Sequence, residues 1–317
     1  MSQGIELEDV LAEAIRLGAS DVHLGSGEVP IFRLNGGLIR AEFRPLSDTQ
    51  LRGWLTELVP AVALERSEFD GVLEFSALGR FRSNLFRHQG GIAAALRVIS
   101  SQVPRLDTLG LPPVVHEVAS YEQGLVLLTG PTGSGKSTTM AAIVDQINST
   151  RSAHIITVED PIEFVHQSRH SLIRQRQLGR DADSFSGALR SILREDPDVI
   201  VVGELRDHET IQLALTAAET GHLVLATLHS ADAPRTIHRI VDVFPSGQQS
   251  QIRSMLAESL QMIVSQTLRA SSSHGRIVNA EVLVAIPAVR TLIRDAKLHQ
   301  LRGVMQASRA AGMRTFE

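Results

Sequence analysis

The stretch Gly130-Pro131-Thr132-Gly133-Ser134-Gly135-Lys136-Ser137 fits the spacing G-x-x-x-x-G-K-[ST], a loop whose backbone wraps phosphate groups. Before it, Gly124-Leu125-Val126-Leu127-Leu128-Thr129 is a short apolar run of the length expected for a buried strand. After it, Met140, Ile143, Val144 and Ile147 recur at helical spacing, and Asn148-Ser149 is expected to stop the helix. Strand, glycine loop and helix therefore follow in the order that anion binding needs. The glycines let backbone N–H groups converge, the helix N-terminus adds partial positive charge, and Lys136 adds a full one. Of 31 basic residues only Lys136 and Lys297 are lysine, so an arginine-rich chain keeps a compact ammonium where a point charge suits phosphate. The expected ligand is a nucleotide, ATP, contacted by Gly130, Pro131, Thr132, Gly133, Ser134, Gly135, Lys136, Ser137 and Thr138. Ser137 is placed to ligate Mg²⁺.

Outward from this loop, the chain alternates apolar strands and helices from Pro113 on, as in a mostly parallel sheet. Strands are expected at His154–Val158, Asp198–Glu204 and His222–Leu228. Helices are expected from Phe185 to before Pro197, from the cap Asp207 through Ala218, and over about 233–243 and 248–268. A strand over 276–286 and a helix opened by Pro287 follow. On the N-terminal side, an amphipathic helix carries Ile5, Leu7, Val10, Leu11, Ala14 and Ile15 and closes at Gly18. Short strands are expected at Asp21–Leu24, Ile31–Leu34, Leu38–Phe43 and near 70–76, 80–87 and 92–99. Ser47-Asp48-Thr49-Gln50 opens a helix to about Val59. The domains read as a small α+β module over 1–99, a proline-containing linker over 100–112, and an α/β nucleotide-binding domain over 113–317.

A chain of 317 residues, 43% apolar and 21% charged, is long enough to bury the cores of two domains. A net charge of −4 with no polybasic run gives no footprint for nucleic acid. With no cysteine, disulfides and thiolate zinc sites are excluded. No apolar run is long enough to span a bilayer and residues 1–20 lack a signal-peptide profile, so a soluble cytoplasmic protein is expected.

Ligands of open α/β sheets collect at the carboxyl ends of strands. Glu204 follows the apolar run Val199–Val202 whereas Asp198 precedes it, so Glu204 is the carboxylate expected within reach of Mg²⁺ or the attacking water. A strand-end glutamate paired with Arg206 is the competing reading. Glu159 and Glu163, after the neighbouring strand, are candidates to hold the metal through water or share the base role. His222 and His229 stand about 23 Å apart on a regular strand. Only His229 lies at the carboxyl end, where it can sense a γ-phosphate; His222 reads equally as a hydrogen-bonded strand-end residue.

Together these residues resemble the secretion and pilus-motor ATPases, and within them the PilT-type retraction ATPases of type IV pili. The resemblance covers almost the whole chain. It is carried by Gly18-Ala19-Ser20-Asp21-Val22-His23-Leu24, the phosphate loop, Glu159-Asp160-Pro161-Ile162-Glu163, Val202-Gly203-Glu204-Leu205-Arg206-Asp207 and the segment from Thr220-Gly221-His222 to His229-Ser230. Ala288-Val289-Arg290-Thr291-Leu292-Ile293-Arg294-Asp295 is similar to a motif of the retraction branch. The absence of cysteine also distinguishes the chain from assembly and secretion members, which carry a tetracysteine zinc module. The resemblance implies a PAS-like N-terminal domain, a RecA-like P-loop ATPase domain and a homohexameric ring at the inner-membrane base of a pilus. Its implied partners are the pilus platform protein and a second pilus motor ATPase. It also implies that Arg80, Arg82 and Arg97 approach the nucleotide, a role suited to guanidinium groups beside a transferring phosphoryl group. The function expected is pilus retraction and twitching motility by ATP hydrolysis, against assembly, secretion or a nucleotide-binding accessory role.

Overall fold

The structure is a computed structural model describing residues 6–34, 36–58, 68–99, 102–271 and 275–316. The chain divides into two units, Met1–Gln102 and Val103–Glu317. In the first, α1 (Leu7–Arg16) buries Leu7, Val10, Leu11 and Ala14, the positions that the helical period brings to one face. Gly18, at φ +71°, turns the chain into a six-stranded antiparallel sheet of order β3-β2-β1-β6-β5-β4. Its strands are β1 (Asp21–Gly25), β2 (Ile31–Leu34), β3 (Gly37–Arg40), β4 (Glu68–Phe75), β5 (Gly79–His88) and β6 (Gly91–Ile99). Helix α2 (Asp48–Leu58) begins where the Gln50 amide donates to Ser47 Oγ at 3.1 Å, as the capping pattern predicts. Ile5, Asn35 and Val59, which were assigned to elements or turns from sequence, lie outside the described residues.

The second unit is built on a seven-stranded sheet of order β13-β12-β7-β11-β10-β8-β9, parallel except where β13 (Gly275–Val284) runs against β12 (Leu260–Ser271). Strands β7 (Gly124–Thr129), β10 (Val199–Val202) and β11 (Leu223–Leu228) are buried along their whole length. That explains their unbroken apolar runs, since helices cover both faces of such a sheet. Leu125 and Leu127 pack on one side with Ile211 and Leu215 of α5 (His208–Glu219). Val126 and Leu128 pack on the other with Ile143 and Ile147 of α3 (Lys136–Thr150). Residues 103–112, expected as a linker, carry Leu106 and Leu111 into this second cluster.

Three expectations change. The helix expected over 248–268 is α7 (Gln249–Ser259) followed directly by β12 (Leu260–Ser271). From Leu260 on, the chain pairs in parallel with β7, and Leu260, Met262, Ile263 and Val264 are fully buried; sheet pairing overrides the helical spacing. Asn148 does not stop α3. It is buried inside the helix, and its amide donates to the Gln167 carbonyl and accepts from Arg169 N–H, at 2.8 and 3.0 Å. The strand expected over Asp198–Glu204 pairs only from Val199 to Val202, while the Asp198 carboxylate accepts from His154 N–H at 2.7 Å. An additional strand, β9 (Leu172–Gln177), adds to β8 (His154–Glu159) at the sheet edge, where alternating Arg and Gln hid it from the apolar pattern.

Candidate active site

The phosphate loop leaves the end of β7 at Gly130, whose φ of +142° and surroundings both require glycine. A β-carbon there would lie 2.2 Å from the Gln266 carbonyl oxygen and 2.6 Å from Ser134 Oγ. Gly133 and Gly135 also take positive φ, and Gly135 delivers the chain into α3 at Lys136. The Lys136 side chain folds beneath the loop, its Nζ donating to the carbonyls of Gly130 (2.8 Å) and Pro131 (3.0 Å). Burial holds its ammonium below the ordinary lysine range, and the nearby carboxylates of Glu204 and Glu163 pull the other way. Ser134 Oγ is buried without a hydrogen-bond partner, an open position that an anionic oxygen satisfies. Ser137 is exposed at the first turn of α3 and Thr138 half-buried beside it. Gly130→Ala is expected to displace the loop and abolish detectable nucleotide binding while leaving the folded chain intact; titration with a fluorescent ADP analogue checks it.

Glu204 is brought to this loop by the end of β10. Gly203 N–H donates to the Val158 carbonyl at 2.7 Å, and a side chain at Gly203 would crowd Glu159 Cα at 3.1 Å. Thr227, at the end of β11, clamps the other side: its hydroxyl donates to the Gly203 carbonyl and its own carbonyl accepts from Leu205 N–H. The Glu204 carboxylate lies 2.8 Å from Arg206 Nη2 and 3.4 Å from His229 Nε2. Arg206 is thus the partner of Glu204 that the competing reading named, yet Glu204 also stands in the electrostatic field of Lys136. His222 lies at the opposite end of β11, its Nδ1 2.9 Å from the Ala217 carbonyl oxygen.

Glu159 Oε1 accepts from Thr157 Oγ1 (2.6 Å) and Gln175 Nε2 (3.0 Å), and Glu163 is half-buried in the segment that follows. Ser137, Glu204, Glu159 and Glu163 offer only oxygen donors, the chemistry that a hard dication such as Mg²⁺ takes. Among the described residues no cluster of three or more His, Cys, Asp or Glu forms a cage of its own for a metal, so a cation here would depend on phosphate oxygens and water as well. Sequence reading missed Thr227, Gln175 and Gln266; the last buries its amide against Thr139 Oγ1 at 2.9 Å behind the loop.

The three arginines singled out from sequence belong to the first unit. Arg80 and Arg82 lie on β5 and Arg97 on β6, and Arg82 stands directly opposite Arg97 in the ladder, so all three share one face. Arg97 pairs with Asp21 at 2.9 Å. The Arg80 side chain is only 13% exposed, with its nearest carboxylate, Glu74, at 4.0 Å.

Residues 4–314 match the family model described as type II/IV secretion system protein. The chain is 46% identical to the type IV pilus retraction ATPase PilT of Pseudomonas aeruginosa, covering 99% of this chain and 92% of that protein. It is 48% identical to a twitching motility protein of Neisseria gonorrhoeae over 91% of this chain and 78% of that one. Among solved structures it is similar to the pilus retraction motor PilT with bound ADP, at a TM-score of 0.91 and 45% identity over 96% of this chain and 90% of that one. Matched by that family model over residues 4–314, and 46% identical to one relative over nearly its full length, the chain belongs to the type II/IV secretion system protein family.

Proposed function

We propose that this protein is a Mg²⁺-dependent motor ATPase that retracts a type IV pilus and so drives twitching motility. It acts as a homohexameric ring on the cytoplasmic face of the inner membrane, at the pilus base, against a membrane platform protein and beside a second motor ATPase. The observation that carries this reading is the convergence of Lys136, Glu204 and Glu163 in one electrostatic neighbourhood, in a chain 46% identical to a retraction ATPase.

The loop amides and Ser134 Oγ hold the phosphates, and Lys136 supplies the charge. Glu204 orients the attacking water and takes its proton, His229 responds to the γ-phosphate, and Glu159 and Glu163 share the acidic side of the site. Ser137, and Glu204 through water, would hold Mg²⁺, which would supply positive charge against the phosphates. Arg80, Arg82 and Arg97 add positive charge to the transferring phosphoryl group. No helix among the described residues is long and apolar enough to cross a membrane.

A strain lacking this protein is expected to accumulate surface pili and lose twitching. Loss of pili instead of excess would assign the motor to assembly. ATP hydrolysis measured on the purified chain separates both from an accessory subunit that binds nucleotide without turnover.

A further inference from the structure

We propose that Gln175 is a positioning residue that, with one side-chain amide, fixes the Glu159 carboxylate at the end of β8 and the main chain just after Glu163. The inference rests on the reading of Glu159 and Glu163 as groups of the ATPase site. Gln175 lies on β9 opposite Thr157 of β8. Its Nε2 donates to Glu159 Oε1 (3.0 Å) and to the Phe164 carbonyl (2.9 Å), while its Oε1 accepts from His166 N–H (2.8 Å). A primary amide has two N–H donors in one plane with its oxygen, and here both donors and the oxygen are engaged at once. Only one orientation of the side chain satisfies all three.

The second glutamine of the strand extends the pattern. Gln177, two residues on and therefore on the same face of β9, accepts from Ile162 N–H at 3.3 Å. Gln177 holds the backbone before Glu163, and Gln175 holds it after. The edge strand thus brackets Glu163 by its main chain and touches Glu159 by its carboxylate. Thr157 Oγ1 donates to the same oxygen of Glu159 at 2.6 Å, so two neutral donors fix the direction of that carboxylate. An edge strand serving only to close the sheet has no need of such bonds. Arg174 and Arg176, on the other face, make none of these contacts; Arg176 pairs with Glu195.

Two variants test this. Gln175→Leu keeps the approximate volume and removes all three bonds. Its ATP turnover is expected to fall about tenfold or more, on the scale of a misplaced reacting group. The affinity of its ADP complex for Mn²⁺, read by electron paramagnetic resonance, falls with it, whereas metal-free binding of a fluorescent ADP analogue stays near wild type. Gln175→Glu keeps the shape of the side chain but removes both amide donors, and it is expected to lose turnover and Mn²⁺ affinity in the same direction while metal-free ADP binding stays near wild type. Wild-type turnover and Mn²⁺ affinity in Gln175→Leu overturn the proposal. Loss of metal-free ADP binding in both variants reduces Gln175 to a scaffold residue and overturns it too. If Gln175→Leu does not fold, turnover and Mn²⁺ affinity of Gln175→Glu decide alone. Absence of ATP hydrolysis by the wild-type chain is a separate result, and it overturns the ATPase reading instead.

Discussion

Glu204→Ala is expected to lower ATP turnover by about 10²–10⁴-fold, the contribution of a positioned general base, with ATP affinity close to that of the wild type. The two halves of this expectation follow from different parts of the site. On the proposed reading, affinity resides in the loop from Gly130 to Ser137 and in Lys136, whose Nζ bonds to Gly130 and Pro131 do not involve Glu204. Turnover needs an acceptor for the water proton, the role proposed for the carboxylate of Glu204, whose flanking backbone at Gly203 and Leu205 is held by Thr227 and β8. This carboxylate is bonded to Arg206 and faces His229, so in the proposed role of base it would exchange Arg206 for water. Truncation also frees Arg206. Because Arg206 is 57% exposed and keeps Asp160 at 3.7 Å, the stability change should stay within about 1 kcal/mol, the usual worth of an exposed ion pair. Misfolding therefore does not account for a large loss of turnover. Steady-state hydrolysis beside equilibrium binding of ATP checks the prediction, and turnover within tenfold of wild type removes Glu204 from the role of base.

How far the sequence carried the fold depended on where the determining partners lay. The phosphate loop, its strand and its helix form one continuous stretch, Gly124–Thr150, and each is fixed by local chemistry: glycines that adopt positive φ, an apolar run, a helical period. Glu204 and His229 were legible because each follows an apolar strand of a parallel sheet, whose carboxyl ends share one edge. β12 was not legible, since Leu260 to Val264 satisfy a helical spacing as well as a buried strand. Only pairing with β7, more than 130 residues earlier, decides between them. A separation of 127 residues likewise hides Gln266 behind the loop, and Thr227 meets Gly203 across 24 residues, from the next strand of the sheet. Asn148 carried a misleading signal: asparagine disfavours helix interiors, yet here its buried amide binds two backbone groups of the 167–169 segment, an interaction worth keeping inside a helix.

Lys136→Ala is expected to weaken ATP binding by about 10²-fold or more, the equivalent of losing one or two hydrogen bonds to a charged group at roughly 1.5–3 kcal/mol each. Two losses combine: the cation that meets the phosphates, and the Nζ donors that shape the loop by bonding Gly130 and Pro131. Turnover then falls below detection at ordinary ATP concentrations. The titration of Lys136 supplies an independent signature. Burial lowers its pKa from 10.5, outweighing the attraction of Glu204 and Glu163. The charged form is therefore disfavoured by folding. That cost is present at neutral pH and is relieved as pH rises through the lowered pKa toward 10.5, so this group's contribution to stability increases in the alkaline window. Nucleotide affinity moves the opposite way over the same window, because a neutral amine no longer pairs with phosphate. Lys136→Met, which cannot titrate, should lack the alkaline rise in stability and show weak binding at every pH. Thermal unfolding and ADP titration across the alkaline range measure both slopes, and parallel slopes in wild type and Lys136→Met would show that another group governs the site's charge.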